Sequence, residues 1–242
     1  MRLRNRGCWH VNRPGTALCV AAAVSCCLVG QPARAGASTS GINDPPANIA
    51  PPAAMATACG QPAPGASCEQ AAVQAIDTAR AAEGVGPLVL PAGYNALKPA
   101  GQLLVIADLE RVDRGLPGFS GLSAQLDAMA QRGAAQGQDP TGPVNFAWGS
   151  NLALGYTSVL AADYAWMYDD GPGSDNVDCT ATSRSGCWGH RQNILGDYGP
   201  DPAMGAAAVT AILGGAPVLS MTQLFATSPA GPLAYRIPAL QR

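Results

Sequence analysis

The first 35 residues decide the compartment in which everything after them must fold. Arg2, Arg4, Arg6 and Arg13 precede a nearly unbroken apolar run from Ala17 to Gly30, closed by Ala33-Arg34-Ala35, and no acidic residue comes before Asp44. A basic start, an apolar stretch and small residues before the cut make a cleavable export signal, so cleavage after Ala35 is expected. The run is about 14 residues, too short for a permanent membrane anchor. A lipoprotein signal built on Ala23-Val24-Ser25-Cys26 is the rival. Alanine is a poor first residue for it, and the apolar run continues past Cys26. The expected location is therefore secreted or periplasmic, with no membrane span in the mature chain. Four cysteines leave with the signal, and Cys59, Cys68, Cys179 and Cys187 remain. An even set in an oxidising compartment predicts two disulfides. Cys59–Cys68 and Cys179–Cys187 are favoured among the three pairings because they close short loops. His10 also leaves, which makes His190 the only histidine of the mature chain.

Charge narrows the partners. Nine basic residues face 16 acidic ones after Ala35, a net charge of −7, and Lys98 is the only lysine. An acidic chain without a basic run excludes nucleic acid and anionic membrane surfaces as partners. Residues 36–66 are rich in Pro, Ala, Gly and Ser and lack apolar periodicity, so they read as a flexible tether. Residues 67–230 have the length of one domain, and 231–242 read as a C-terminal tail.

Within that domain, helical spacing predicts helices over Glu69–Glu83, Gln102–Arg114, Ser120 or Ser123 to Ala135, Tyr156–Tyr168 and Trp188–Leu195. Met204–Leu213 and Pro217–Thr227, rich in Ala, Val, Ile and Thr around Gly214-Gly215, predict a β-hairpin. Helices followed by paired strands indicate an α+β domain. Residues 76–90 and 108–122 share an Arg-x-x-x-Gly spacing, a match too short to be read as a repeat.

The most informative stretch is Cys187-Trp188-Gly189-His190-Arg191-Gln192-Asn193-Ile194-Leu195. It resembles the Gly-His-Arg-x-Asn-Ile-Leu element of the CAP superfamily, which includes cysteine-rich secretory proteins, venom allergens and plant pathogenesis-related proteins. Leu109-Glu110-Arg111 with Gly115-Leu116-Pro117, then Leu126–Ala134, Trp148–Ala153, Ala165–Tyr168 and Met204-Gly205 are similar to that family's other elements, in order, over about 102–227. The resemblance implies a three-layer α–β–α sandwich with a central antiparallel sheet and an open cleft. It also implies that the family's two cleft histidines and two acids fall on His190, near Asn145, near Asp169 and on Ser150. Two of the four are thus replaced. With one histidine and paired cysteines, a His-rich zinc site is not expected, and no cofactor is.

The expected function is non-catalytic binding of a small apolar ligand, a peptide or an envelope component in a cleft near His190, with Ser150, Asn145, Asp169, Trp166 and Arg191 around it. Trp148, Trp166 and Trp188 are equally of the kind that anchor a core. Arg191 is expected to pair with a carboxylate such as Asp197. The alternative is a hydrolase using Ser150 with His190 and Asp169, or Asp170 in its place, the residue types of an acyl-transfer triad, although no Gly-x-Ser-x-Gly elbow is present. Asp169, Asp170, Asp175 and Asp178 lack EF-hand spacing, and read as a solvated loop stapled by Cys179–Cys187 rather than a calcium site.

Overall fold

The computed structural model describes residues 43–61, 65–227 and 232–235. The expected export signal, its cleavage point and Cys26 lie outside the described residues. The elements run α1 (Ala53–Cys59), α2 (Ala66–Ala82), α3 (Pro99–Val112), β1 (Leu122–Ser123), α4 (Ala124–Gln136), β2 (Trp148–Leu154), α5 (Val159–Met167), α6 (Gly189–Leu195), β3 (Pro202–Leu213), β4 (Ala216–Thr227) and β5 (Leu233–Tyr235). The fold is α+β.

The strand order is β2-β4-β3-β1-β5. The long hairpin β3–β4, turning at Gly214-Gly215, is its spine, and β2 adds antiparallel along β4 with Trp148 opposite Ala226. Alternation along the hairpin feeds two cores. Ala203, Ala207, Leu224 and Ala226 face Leu126, Ala130 and Ala134 of α4, while Met204, Ala206, Met221 and Phe225 join the larger core beneath α2, α3 and α5. Helices therefore cover both faces of the sheet. α5 and α3 are buried around most of their circumference, as their sparse charge allows.

The sheet is mixed rather than purely antiparallel. β1 runs parallel to β3, with Leu122 opposite Met204, and antiparallel to β5. β5 lies in what the sequence offers as a tail. Two- and three-residue strands carry no periodicity, so their pairing is set by neighbours alone. The tether is corrected more substantially. Residues 43–61 include α1, bury Met55, and lie against the body: the Ile49 amide donates to Tyr168 O and the Tyr164 hydroxyl to the Ile49 and Ala50 carbonyls. Its prolines are compatible with this because the arm amide that holds it to the body is that of Ile49, and its other bonds use side chains and carbonyls, which proline retains.

Both favoured disulfides are formed, Cys59–Cys68 and Cys179–Cys187. No helix among the described residues is long and apolar enough to cross a membrane.

Candidate functional site: a polar cleft organised by Asp170 and His190

α6 is placed by one buried carboxylate. Trp188, in the left-handed region at φ 64°, turns the chain into the helix and its amide donates to Asp170 O at 2.8 Å. Asp170 Oδ2 then accepts from the His190 amide at 2.9 Å and the Arg191 amide at 3.4 Å, meeting two of the otherwise unsatisfied donors of the helix start. Its other oxygen, Oδ1, lies 2.7 Å from His190 Nδ1 and accepts from Asn176 Nδ2 at 2.6 Å. Asp170 is 1% exposed, and every lone pair it offers is directed at this corner. With Nδ1 held, Nε2 is the ring nitrogen left for a ligand. Burial opposes charge on the imidazole, but the Asp170 hydrogen bond and charge, with Asp139 and Asp178 further off, outweigh it and raise the His190 pKa above its ordinary value.

The rest of α6 is locked to the body. Arg191 is buried, pairs through both terminal nitrogens with Glu83 at 2.9 Å and donates to Met167 O, closing the C-terminal end of α5. Asn193 Nδ2 donates to Ser150 O at 2.7 Å and to Asn151 Oδ1, while Asn151 Nδ2 donates to His190 O. β2 and α6 meet so closely that a Cβ on Gly149 would stand 2.5 Å from the Tyr198 hydroxyl and 2.6 Å from Asn193 Oδ1. A side chain at 149 is incompatible with this contact.

Between the β2 edge, α6 and the 176–186 loop opens a cleft of about 700 Å³. Ser150, Asn176, Asp178, Ser183, Ser185, Gln192 and Asn193 give it hydroxyl, amide and carboxylate walls. Among the described residues, Trp148 is the only aromatic and His190 the only basic side chain on its lining.

Of the residues expected in the cleft, His190 and Ser150 arrive. Asp169 does not: it accepts a hydrogen bond from Asn48 of the arm and faces another cavity, and its neighbour Asp170 is the histidine's partner. Of the two acids the sequence offers beside His190, the structure pairs the second, Asp170, with the ring. The amides of Tyr168 and Asp169 both donate to Tyr164 O as α5 ends, and the chain turns there so that consecutive side chains point apart. Asn145 is exposed on a turn at φ 71° and is not among the lining residues. Trp166 is a core residue whose Nε1 donates to Leu152 O. Trp188 is buried against Cys179 and Cys187. Arg191 pairs with Glu83, and Asp197 instead accepts from the Gly199 amide in its own turn. The Ser150 hydroxyl makes no hydrogen bond to His190. Among the described residues no three His, Cys, Asp or Glu side chains are grouped to hold a metal ion. The four loop carboxylates are dispersed: Asp170 beneath His190, Asp178 on the cleft, Asp169 and Asp175 on the other cavity.

Sequence reading missed Asp139, Asn176 and Gln192. Asn193 was within reach of it, three residues after His190 on one helical face. Asp139 and Asn176 come from loops far along the chain and carry no local signal. No protein-family model, curated protein or solved structure matches this chain.

Proposed function

We propose that this chain is an exported CAP-like binding module whose His190 cleft takes a peptide or an envelope component rich in amide and hydroxyl groups, without turning it over. The observation that carries this reading is the cleft lining: polar side chains on three elements converge on one space beside a single aromatic face, Trp148. Such a wall exchanges hydrogen bonds with a polar ligand and offers little to a small apolar one. The His190 element and the order of helices and strands support the CAP-like part of the proposal, and the two disulfides suit an extracellular setting.

A muropeptide, which joins amino sugars to a short peptide, is the direct probe. Titration is expected to quench Trp148 fluorescence saturably and to shift the His190 ring resonance, with Asn193→Ala and Trp148→Ala each weakening affinity at least about tenfold. No response to the muropeptide or to its separate sugar and peptide halves would reject the reading.

One observation favours a hydrolase as the second reading. A buried Asp170 holding His190 Nδ1 is the orienting pair of an acyl-transfer triad, with Ser150 on the same cleft. Against it, Ser150 is not hydrogen-bonded to the ring. A fluorophosphonate label appearing on Ser150, and lost in His190→Ala, would put this reading first.

A further inference from the structure

Asp169 and Asp170 are adjacent in sequence but serve different spaces. Asp170 underlies His190, whereas Asp169 lines a separate cavity of about 590 Å³ at the far end of β2. That volume lies within the usual range for small-molecule sites, about 300–1,000 Å³. Its walls come from several elements, including the end of β2 and the loop after it. Pro51 and Met55 belong to the arm, Tyr164 to α5, and Leu213 and Val218 to the tip of the β3–β4 hairpin. Carbon surface dominates, and the charged groups on it are the carboxyls of Asp169 and Asp175, with no Lys, Arg or His on the lining among the described residues.

We propose that this cavity is a second binding site, for a cationic amphiphile whose apolar chain fills the space between the arm and the hairpin and whose protonated amine meets Asp169 and Asp175. Charge complementarity selects the occupant. A neutral apolar molecule would leave Asp169 without a cation in an apolar surrounding, and a fatty acid would add a third negative charge to two. The cavity is also fixed before any ligand arrives. Asn48 bridges Asp169 and the Gly171 amide, the Tyr164 hydroxyl holds the Ile49 and Ala50 carbonyls, and Cys59, on the lining, is bonded to Cys68. A preformed wall spares the ligand an ordering cost. Burial, moderated by the Asn48 bond and reinforced by Asp175 and Asp170, raises the Asp169 carboxyl to about 6, so it is ionised at neutral pH and gains from a cation beside it.

The experiment is calorimetric titration of the mature chain at pH about 7.5, where alkylamines carry a proton, with dodecylamine, dodecanol and dodecanoate, each below its micelle threshold. Dodecylamine is expected to bind one per chain, at least about tenfold more tightly than dodecanol, with dodecanoate weaker still. Asp169→Asn should reduce the preference for the amine over the alcohol by at least about fivefold while leaving alcohol binding in place. Asp175→Asn should reduce it further when combined. Ala165→Phe, which fills the cavity from α5, should weaken amine and alcohol alike by at least about tenfold. Dodecanoate binding as well as dodecylamine, an amine preference untouched in the double Asn variant, or unchanged affinity in Ala165→Phe would each overturn the proposal. None of these variants touches the His190 cleft, so muropeptide binding can fail or succeed independently.

Discussion

The half-buried imidazole of His190 and the fully buried carboxyl of Asp163 both titrate, and their surroundings treat them oppositely. His190 has Asp170 at Nδ1, which raises its pKa. A folded-state value above the unfolded one, near 6.5, contributes stability that is complete below about pH 6.5 and is lost as pH rises through the folded value. Asp170→Asn should therefore narrow its stability deficit against the wild type between about pH 6 and pH 9. A residual deficit should remain, since Asp170 also accepts the His190 and Arg191 amides. Thermal melts across that range, beside the ring-proton titration of His190, check both parts. A titration midpoint at or below 6.5 in the wild type would contradict the expectation. Asp163 is fully buried among Arg80, Arg114, Arg191 and Glu110, and neither of its carboxyl oxygens has a hydrogen-bond partner among the described residues. Burial and Glu110 push its pKa well above the carboxylate range, against the pull of the three arginines. Asp163→Asn, which removes a charge that burial opposes at nearly the same volume, should change stability by no more than about 1 kcal/mol. Arg191→Met, which takes one of two arginine partners from the half-buried Glu83 and leaves Met167 O without its donor, should cost more, about 2–3 kcal/mol. Urea unfolding of the two variants separates them.

The Arg-x-x-x-Gly spacing shared by α2 and α3 acquires a meaning at the scale of elements. Arg80 Nε donates to Gly86 O and Arg111 Nε to Pro117 O, each six residues on. Asp77 accepts from the Leu88 amide and Asp108 from the Phe119 amide, each eleven residues on. Gly84 and Gly115 take φ 73° and 76° between them. The two helices end by one device: a left-handed glycine reverses the chain, and an Asp and an Arg from the last turns catch the returning backbone. Arg111 Nη1 donates to both the Ile194 and Gly196 carbonyls, which fastens the end of α6 and hence the cleft. Gly115→Ala is expected to cost about 1–2 kcal/mol from the left-handed backbone alone, and Arg111→Lys more, because one ammonium cannot reach Pro117, Ile194 and Gly196 together. Denaturant midpoints test the order. The spacing was visible in the sequence, but its partners are main-chain carbonyls, which every residue has, so nothing in the letters marked Gly86 or Pro117 as the acceptor. Helices α2 and α4 were legible because each buries a stripe with a period, and α3 and α5 because they are largely apolar, whereas α1 is a short helix inside a Pro- and Ala-rich stretch. β1 and β5 were not, because two or three residues have no period. In the site, the His190 element was legible as a string, whereas the choice between Asp169 and Asp170 depended on a turn.

At the scale of the whole molecule the arm is the largest departure from what composition indicates. Residues 43–61 have the Pro and Ala content of a linker, yet they spend their polar groups on the body: Asn48 on Asp169 and Gly171, Ile49 on Tyr168, Asp44 on Gln192, and the Cys59 carbonyl on Thr157. Composition reports how little apolar surface a segment brings, and the arm brings little. Met55 is its one fully enclosed large side chain. Its attachment rests on the Cys59–Cys68 bond, whose partners are 9 residues apart, and on carbonyls and amides that sequence composition does not register. Closing a loop of that size contributes about 2–3 kcal/mol through the unfolded chain. Replacing both cysteines by serine should therefore lower stability by about that amount, and should also release the arm locally, since few apolar contacts would then hold it. The Ile49 amide separates the two effects. In the oxidised chain it should exchange with solvent slowly, because it donates to Tyr168 O. In the double serine variant it should exchange much faster than core amides such as those of α3, which follow only the global loss. Fast exchange at Ile49 in the oxidised chain would return the arm to the status of a tether, and with it remove one wall of the cavity that Asp169 lines.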